Sequence, residues 1–175
     1  SVYVTTPIPR EALKLLKKHC GEVRLCKDHH ALMKQMLLKE VRDADGLFSL
    51  LTDKIDAKVL DAAGKKLKII ANYAVGFDNV DLAGAKKRKI VVTNTPAVLT
   101  EAVAEHTAAL LLGAARRLPE SDQFLRSGQY HGWEPELLLG PELKGKTLGI
   151  IGLGRIGTRV AEIAALGLQM KVIYY

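Results

Sequence analysis

The chain has 175 residues, 48% of them hydrophobic, which is enough to bury a core and fits one domain or one domain with part of a second. No run approaches the roughly 18 consecutive apolar residues that a membrane span needs, and Ser1-Val2-Tyr3-Val4 lacks the basic and apolar regions of a signal peptide; a cytoplasmic protein without membrane contact is expected. The net charge of +7 lies wholly in residues 1–98, with 18 Lys/Arg against 11 Asp/Glu, whereas residues 99–175 balance at 8 against 8.

Much of that excess sits in Lys14, Lys17 and Lys18, in Lys65, Lys66 and Lys68, and in Lys86, Lys87, Arg88 and Lys89. One reading is a solvated surface with lysines at helix C-termini, where the dipole favours them. The others are steering of a small anionic substrate or contact with nucleic acid. Few aromatics interleave the lysines, which counts against single-stranded nucleic acid, and no nucleic-acid partner is expected. Cys20 and Cys26, with His29 and His30 nearby, match no structural zinc spacing, so no metal site is expected.

Short β-rich runs alternate with amphipathic stretches over the first part, which predicts a parallel sheet covered by helices. Residues 2–5 form a strand, and Pro7 and Pro9 lead into a helix from Arg10 that ends at Gly21. Residues 23–26 form the second strand, followed by a helix over about 30–41 with Leu32, Met36, Leu37 and Val41 at helical spacing. The third strand is 46–51. Asp56 reads as the N-cap of a helix over 57–63 closed by Gly64. Strands at 67–71 and 90–93, separated by a helix near 81–87, complete a flavodoxin-like order of five strands.

After Pro96 the pattern changes. Thr100 reads as the cap of a long alanine- and leucine-rich helix that stops before Pro119. Being apolar nearly all round, that helix is expected to be buried. Residues 120–142, with several Gly and Pro and the only Trp, Trp133, read as an irregular segment that is functional or an assembly element. A strand over 146–151, a helix over about 155–166 and a strand over 171–174 close the chain.

The join between those last elements carries most chemistry. An apolar strand runs into Gly152-Leu153-Gly154-Arg155-Ile156-Gly157 and then into a helix, the context in which Gly-x-Gly-x-x-Gly binds dinucleotides. Gly152 permits the tight turn, Gly154 leaves room for a pyrophosphate, and Gly157 lets the helix pack closely on the strand. Arg155 and Ile156 are the first helical residues, and Arg155 either meets a phosphate or stays solvated. In the first part, Val75 and Gly76 follow the fourth strand at its carboxyl end, where ligands of open α/β sheets bind; the plain alternative is a turn needing Gly76 for its backbone angles. Leu51 and Thr52 end the third strand and face the same cleft, or are a core leucine with a capping threonine.

The runs 72–81 (NYAVGFDNVD), 93–96 (TNTP), 104–106 (AEH), 126–128 (RSG) and 145–157 (GKTLGIIGLGRIG) occur in the order found in the D-isomer-specific 2-hydroxyacid dehydrogenases, and the chain resembles that family over essentially its whole length. Residues 46–53, 60–64 and 96–100 look most like its glyoxylate/hydroxypyruvate reductases. The resemblance implies a substrate domain over 1–98 and, over 99–175, a partial NAD(P)-binding Rossmann domain whose first helix crosses between the two. It implies hydride exchange between nicotinamide and a small 2-keto or 2-hydroxy acid. The Val75 and Gly76 amides would hold the substrate carboxylate, and Val103 would stand beside the nicotinamide.

The resemblance also implies a homodimer through the nucleotide domain, formed by the crossing helix and the Trp133 loop. The family's catalytic Arg, Glu and His are expected beyond Tyr175, so no catalytic residue is assigned here and the 175 residues alone are expected to be inactive. His106 matches the family's Ala-Glu-His and reads as a packed, hydrogen-bonded residue rather than a proton donor. Tyr174 and Tyr175 stand, with no acid, at the end of the strand where a carboxylate would read the ribose of NAD, which favours NADP. Competing readings are a same-family dehydrogenase for another acid such as phosphoglycerate, and a dinucleotide-sensing regulatory or corepressor protein of the same fold.

Overall fold

The computed structural model describes residues 1–26 and 34–175. The chain divides into two compact units, Ser1–Pro96 and Ala97–Tyr175.

The first unit alternates strand and helix: β1 (Val2–Val4), α1 (Arg10–His19), β2 (Val23–Leu25), α2 (Lys34–Glu40), β3 (Gly46–Leu50), α3 (Ala57–Ala63), β4 (Ile69–Tyr73), α4 (Leu82–Lys87) and β5 (Val91–Thr93). All its strand pairs are parallel, in the order β2-β1-β3-β4-β5, which is the flavodoxin-like arrangement expected from the alternation. Parallel pairing demands crossover helices on the faces. Accordingly Leu47 and Ile70 on the central strands are buried against Leu37, Val59 and Leu60 from the helical layers.

Local chemistry sets the helix ends. The Asp56 carboxylate accepts from the Val59 amide at 3.2 Å, and Gly64 closes α3 at φ +67°, a backbone angle that favours glycine. Residues 30–33 of the helix expected over 30–41 lie outside the described residues, as does His29; α2 covers Lys34–Glu40 of the rest. The fourth strand starts two residues later than the expected 67–71. Leu67 is buried in the segment before it, and the polar Asn72 is buried inside it.

The second unit comprises α5 (Thr100–Ala115), α6 (Leu118–Arg126), β6 (Thr147–Ile150), α7 (Arg155–Glu162) continued by a π-helical turn at Ile163–Gly167, and β7 (Lys171–Tyr174). β6 and β7 pair in parallel, Thr147 opposite Lys171, so β6-α7-β7 is a β-α-β unit.

Three expectations fail here. Thr100 is the first residue of α5 rather than its cap, and no side chain caps that end. Residues 120–142 are not irregular throughout, because α6 occupies Leu118–Arg126. Arg117 in the left-handed region, φ 54°, breaks the chain between α5 and α6, and Pro119 then falls in the first turn of α6, where its missing N–H costs nothing. Nor is α5 buried: only Ala104 is, and Leu110 is 61% exposed. Its composition is apolar, but this chain covers little of its surface.

Candidate functional site

At the carboxyl edge of the first unit's sheet, a buried polar hub ties the ends of three strands together. The Asp53 carboxylate, 4% exposed, accepts from the Thr5 hydroxyl at 2.5 Å and from the Leu50 amide at 2.8 Å. Asn72 and Asn79 form a reciprocal amide pair, each side chain donating to the other's oxygen at 3.1 Å. Asn79 also donates to the carbonyls of Leu50 and Asp53, at 3.0 and 3.1 Å, and the Ser49 hydroxyl donates to Asn72 at 3.0 Å. Among the described residues no buried side-chain polar atom is left without a partner.

This hub fixes which way two loops present their backbone. The carbonyl of Val75 accepts from Asn94 Nδ2 at 2.8 Å and that of Gly76 from Asn72 Nδ2 at 3.0 Å, so both carbonyls are turned into the protein. The amides of Leu51, Thr52, Val75 and Gly76 meet no acceptor among the described residues. Leu51 and Thr52 are exposed, and Leu51 at 65% is not the core leucine that its alternative reading required. Four unpartnered donors at the carboxyl ends of β3 and β4 suit a carboxylate-sized anion. Sequence reasoning misses the hub residues; polar side chains at successive strand ends are the signal that could have found them.

In the second unit, the glycine turn has the form that its sequence predicts. Gly152 sits at φ +90°, and its amide donates to the carbonyl of Tyr175 at 2.9 Å, which places the end of β7 against the turn. A β-carbon at Gly157 would lie 2.3 Å from the Gly152 carbonyl oxygen, so only glycine lets α7 approach this closely. A β-carbon at Gly154 would meet nothing within 4 Å, leaving open space in front of the helix. No side chain caps α7, and the amides of residues 153–157 have no acceptor among the described residues. Free N–H groups and the positive helix end make this a natural anion seat.

An open cleft of about 570 Å³ adjoins it, lined by Thr100, Glu101, Leu153, Gly154, Arg155, Thr158, Arg159 and Glu162. Arg159 is tied down by Glu101 at 2.8 Å and Glu162 at 2.9 Å, and those carboxylates, Glu101 first, raise its pKa further above the ordinary range. Arg155 has no such partner among the described residues. Val103, half-exposed on α5, lies one turn beyond Thr100. The His106 side chain is exposed and has no hydrogen-bond partner among the described residues, contrary to the packed role expected of it. Among the described residues no cluster of His, Cys, Asp or Glu could hold a metal, and no helix is long and apolar enough to cross a membrane.

A parallel flavodoxin-like sheet followed by a β-α-β unit that opens on a Gly-x-Gly-x-x-Gly turn defines the class as a two-unit α/β protein with a dinucleotide-binding fingerprint. The chain belongs to the D-isomer specific 2-hydroxyacid dehydrogenase family, whose catalytic-domain model matches residues 2–169. It is 51% identical to a glyoxylate reductase of Thermococcus litoralis over 99% of this chain and 53% of that protein. A crystal structure of a protein from Thermus thermophilus superposes with a TM-score of 0.89 at 47% identity, over 99% of this chain and 55% of the other. The chain thus spans about half the length of the relatives it matches. More distant solved relatives include an acyclic imino acid reductase in complex with NADPH and D-Arg, at 28% identity and TM-score 0.80 over 99% of this chain and 55% of the other. A D-lactate dehydrogenase of Aquifex aeolicus complexed with NAD and lactic acid matches at 30% and 0.80, over 99% and 50%.

Proposed function

We propose that this chain supplies the substrate-holding unit, residues 1–98, and the opening dinucleotide-binding segment, residues 99–175, of a reductase that exchanges hydride between a nicotinamide dinucleotide and a small 2-keto acid, glyoxylate or hydroxypyruvate. The observation that carries it is the turn at residues 152–157: a row of free amides, open space at Gly154, and a helix held close by Gly157. Relatives named glyoxylate reductase and solved relatives holding NADPH or NAD support the substrate class and the cofactor class.

The residues present fit such a cofactor. Gly152, Gly154 and Gly157 would shape the pyrophosphate seat, the amides of Arg155 and Ile156 would donate to it, and Val103 would flank the nicotinamide. The dinucleotide supplies the hydride. The chain's own part is to hold and orient: the amides of Val75 and Gly76, with Leu51 and Thr52 beside them, bind the substrate carboxylate and aim its C2 carbonyl. Reduction of that carbonyl also needs a proton donor, a role for which the exposed, unpartnered His106 and His131 are not arranged. The part assigned to the described residues is therefore binding and orientation.

The finer choice is NADP over NAD. Tyr174 and Tyr175 end β7 beside the Gly152 turn, where NAD-preferring sites place a carboxylate for the ribose 2′-hydroxyl. Apolar surface on α5 and at Trp133, which is 80% exposed, supports self-association into a homodimer through α5 and the Trp133 loop. Calorimetric titration of the purified chain with NADPH and NADH tests the reading. Saturable binding, tighter for NADPH and abolished by Gly154→Asp, is expected; absence of binding by either dinucleotide contradicts it, and a clear NADH preference overturns the cofactor choice.

A further inference from the structure

At the opposite, amino-terminal edge of the first unit's sheet lies a groove of about 510 Å³ whose wall carries Lys65, Lys68, Lys87, Arg88 and Lys89 against a single acid, Asp61. We propose that this groove binds a compact, multiply charged oligophosphate anion, at a site made of residues other than those of the glycine turn and away from the Val75–Gly76 loop of the same unit. β4 runs from Ile69, next to Lys68, to Tyr73, so the groove and that loop are about 17 Å apart at the rise of an extended strand.

The plain explanation of these lysines is that they offset the negative ends of α3 and α4, which both terminate here. Magnitude decides against it as a full account. Each helix end amounts to about half a negative charge, so two ends and Asp61 together answer about two of the five cations. A surplus of about three remains. Asp61 is moreover already engaged by Arg88, whose guanidinium also donates to the Gly84 carbonyl at 2.9 Å. Lys68 Nζ donates to the Lys65 carbonyl at 3.0 Å, and no carboxylate lies within 4 Å of Lys65, Lys68, Lys87 or Lys89 among the described residues.

Four exposed ammonium groups without a carboxylate partner among the described residues line one concave volume, which raises the local potential for an anion. The groove's only apolar lining residue is Leu60, and no aromatic lines it. Nothing there could stack a nucleobase, which points to the phosphate chain itself as the recognised group and away from nucleic acid.

Titration of the chain with inorganic triphosphate at about 0.15 M salt is the test, since exposed charges more than about 8 Å apart are screened there. The expected result is saturable one-to-one binding, weakened at least tenfold by the double variant Lys65→Ala/Lys87→Ala. Gly154→Asp, which blocks the glycine turn, should leave it unchanged, so failure here and failure of the dinucleotide reading are separable. The set Lys14→Ala/Lys17→Ala/Lys18→Ala, on basic residues that do not line this groove, should also leave it unchanged. Lys89→Gly is a second check: Lys89 holds φ 58°, so glycine there should raise Tm by about 2–4 °C while weakening triphosphate. Absence of saturation, equal loss in the Lys14 set, loss with Gly154→Asp, or preference for a single-stranded oligonucleotide that grows with length would overturn the proposal.

Discussion

The two units treat apolar surface in opposite ways. The first closes a five-stranded sheet between helices and owns nearly all of the buried apolar residues; only Ala104, Ala164 and Met170 lie in the second. The second, in a chain that spans about half the length of its relatives, pairs just two strands and leaves Ile151, Ile173 and Leu110 largely exposed. Burial at about 25 cal/mol per Å² is what offsets chain entropy, so stability resides in the first unit and binding geometry in both.

The largest expected effect separates those two properties. Gly157→Val drives side-chain atoms into the Gly152 carbonyl, and should weaken NADPH binding on the order of 100-fold or more by displacing α7 from the turn. Hydrogen exchange of the first unit should not change, because the clash lies wholly inside the second; loss of protection there as well would show that the substitution disturbs more than the turn. Next in size is the polar hub. Asp53→Leu leaves the Thr5 hydroxyl and Leu50 amide without their acceptor and should cost the first unit about 2–3 kcal/mol in denaturant unfolding. An effect below about 0.5 kcal/mol would show that the hub does not fix the loops.

A smaller effect tests the helix cap and its pH dependence. Asp56→Ala should cost about 1 kcal/mol, whereas Asp56→Asn should keep most of the cap. Asp56 also pairs with Lys34 at 2.7 Å, and that hydrogen bond, followed by the Val59 amide, lowers its pKa below the ordinary carboxylate value. A depressed folded pKa means that this contribution is present above the unfolded-state pKa of about 3.9 and is lost as pH falls through the folded value. Acid unfolding of Asp56→Asn should accordingly flatten below about pH 4. The smallest effect on stability is expected from Leu110→Glu/Trp133→Ser, which tests the proposed homodimer: the parent chain should sediment as a dimer and the variant as a monomer, with the first unit's Tm unchanged, and a monomeric parent would remove that proposal.

How much of this is legible in the sequence follows the range of the interactions involved. Asp56 and Gly64 bracket α3 by contacts within a turn, and both ends are readable. Gly152, Gly154 and Gly157 likewise declare a turn whose demands are local. The fourth strand reads too early because Asn72 looks like a strand-ending polar residue; it is buried because Ser49 and Asn79, 23 and 7 residues away, satisfy it. Pro119 reads as a helix stop, and is instead a helix start once Arg117 takes the left-handed turn. Burial of α5 is not readable from its composition, since coverage depends on what packs against a helix rather than on how apolar it is. Whether the amides at Val75, Gly76 and residues 153–157 are free is likewise decided by where distant carbonyls point.

The most direct measurement is the amide proton–nitrogen NMR spectrum of the chain during NADPH addition. The largest shifts are expected on residues 153–157, with those of the Lys65–Lys89 groove unmoved. Shifts centred on the groove, or a spectrum in which residues 153–157 do not respond, would contradict that expectation.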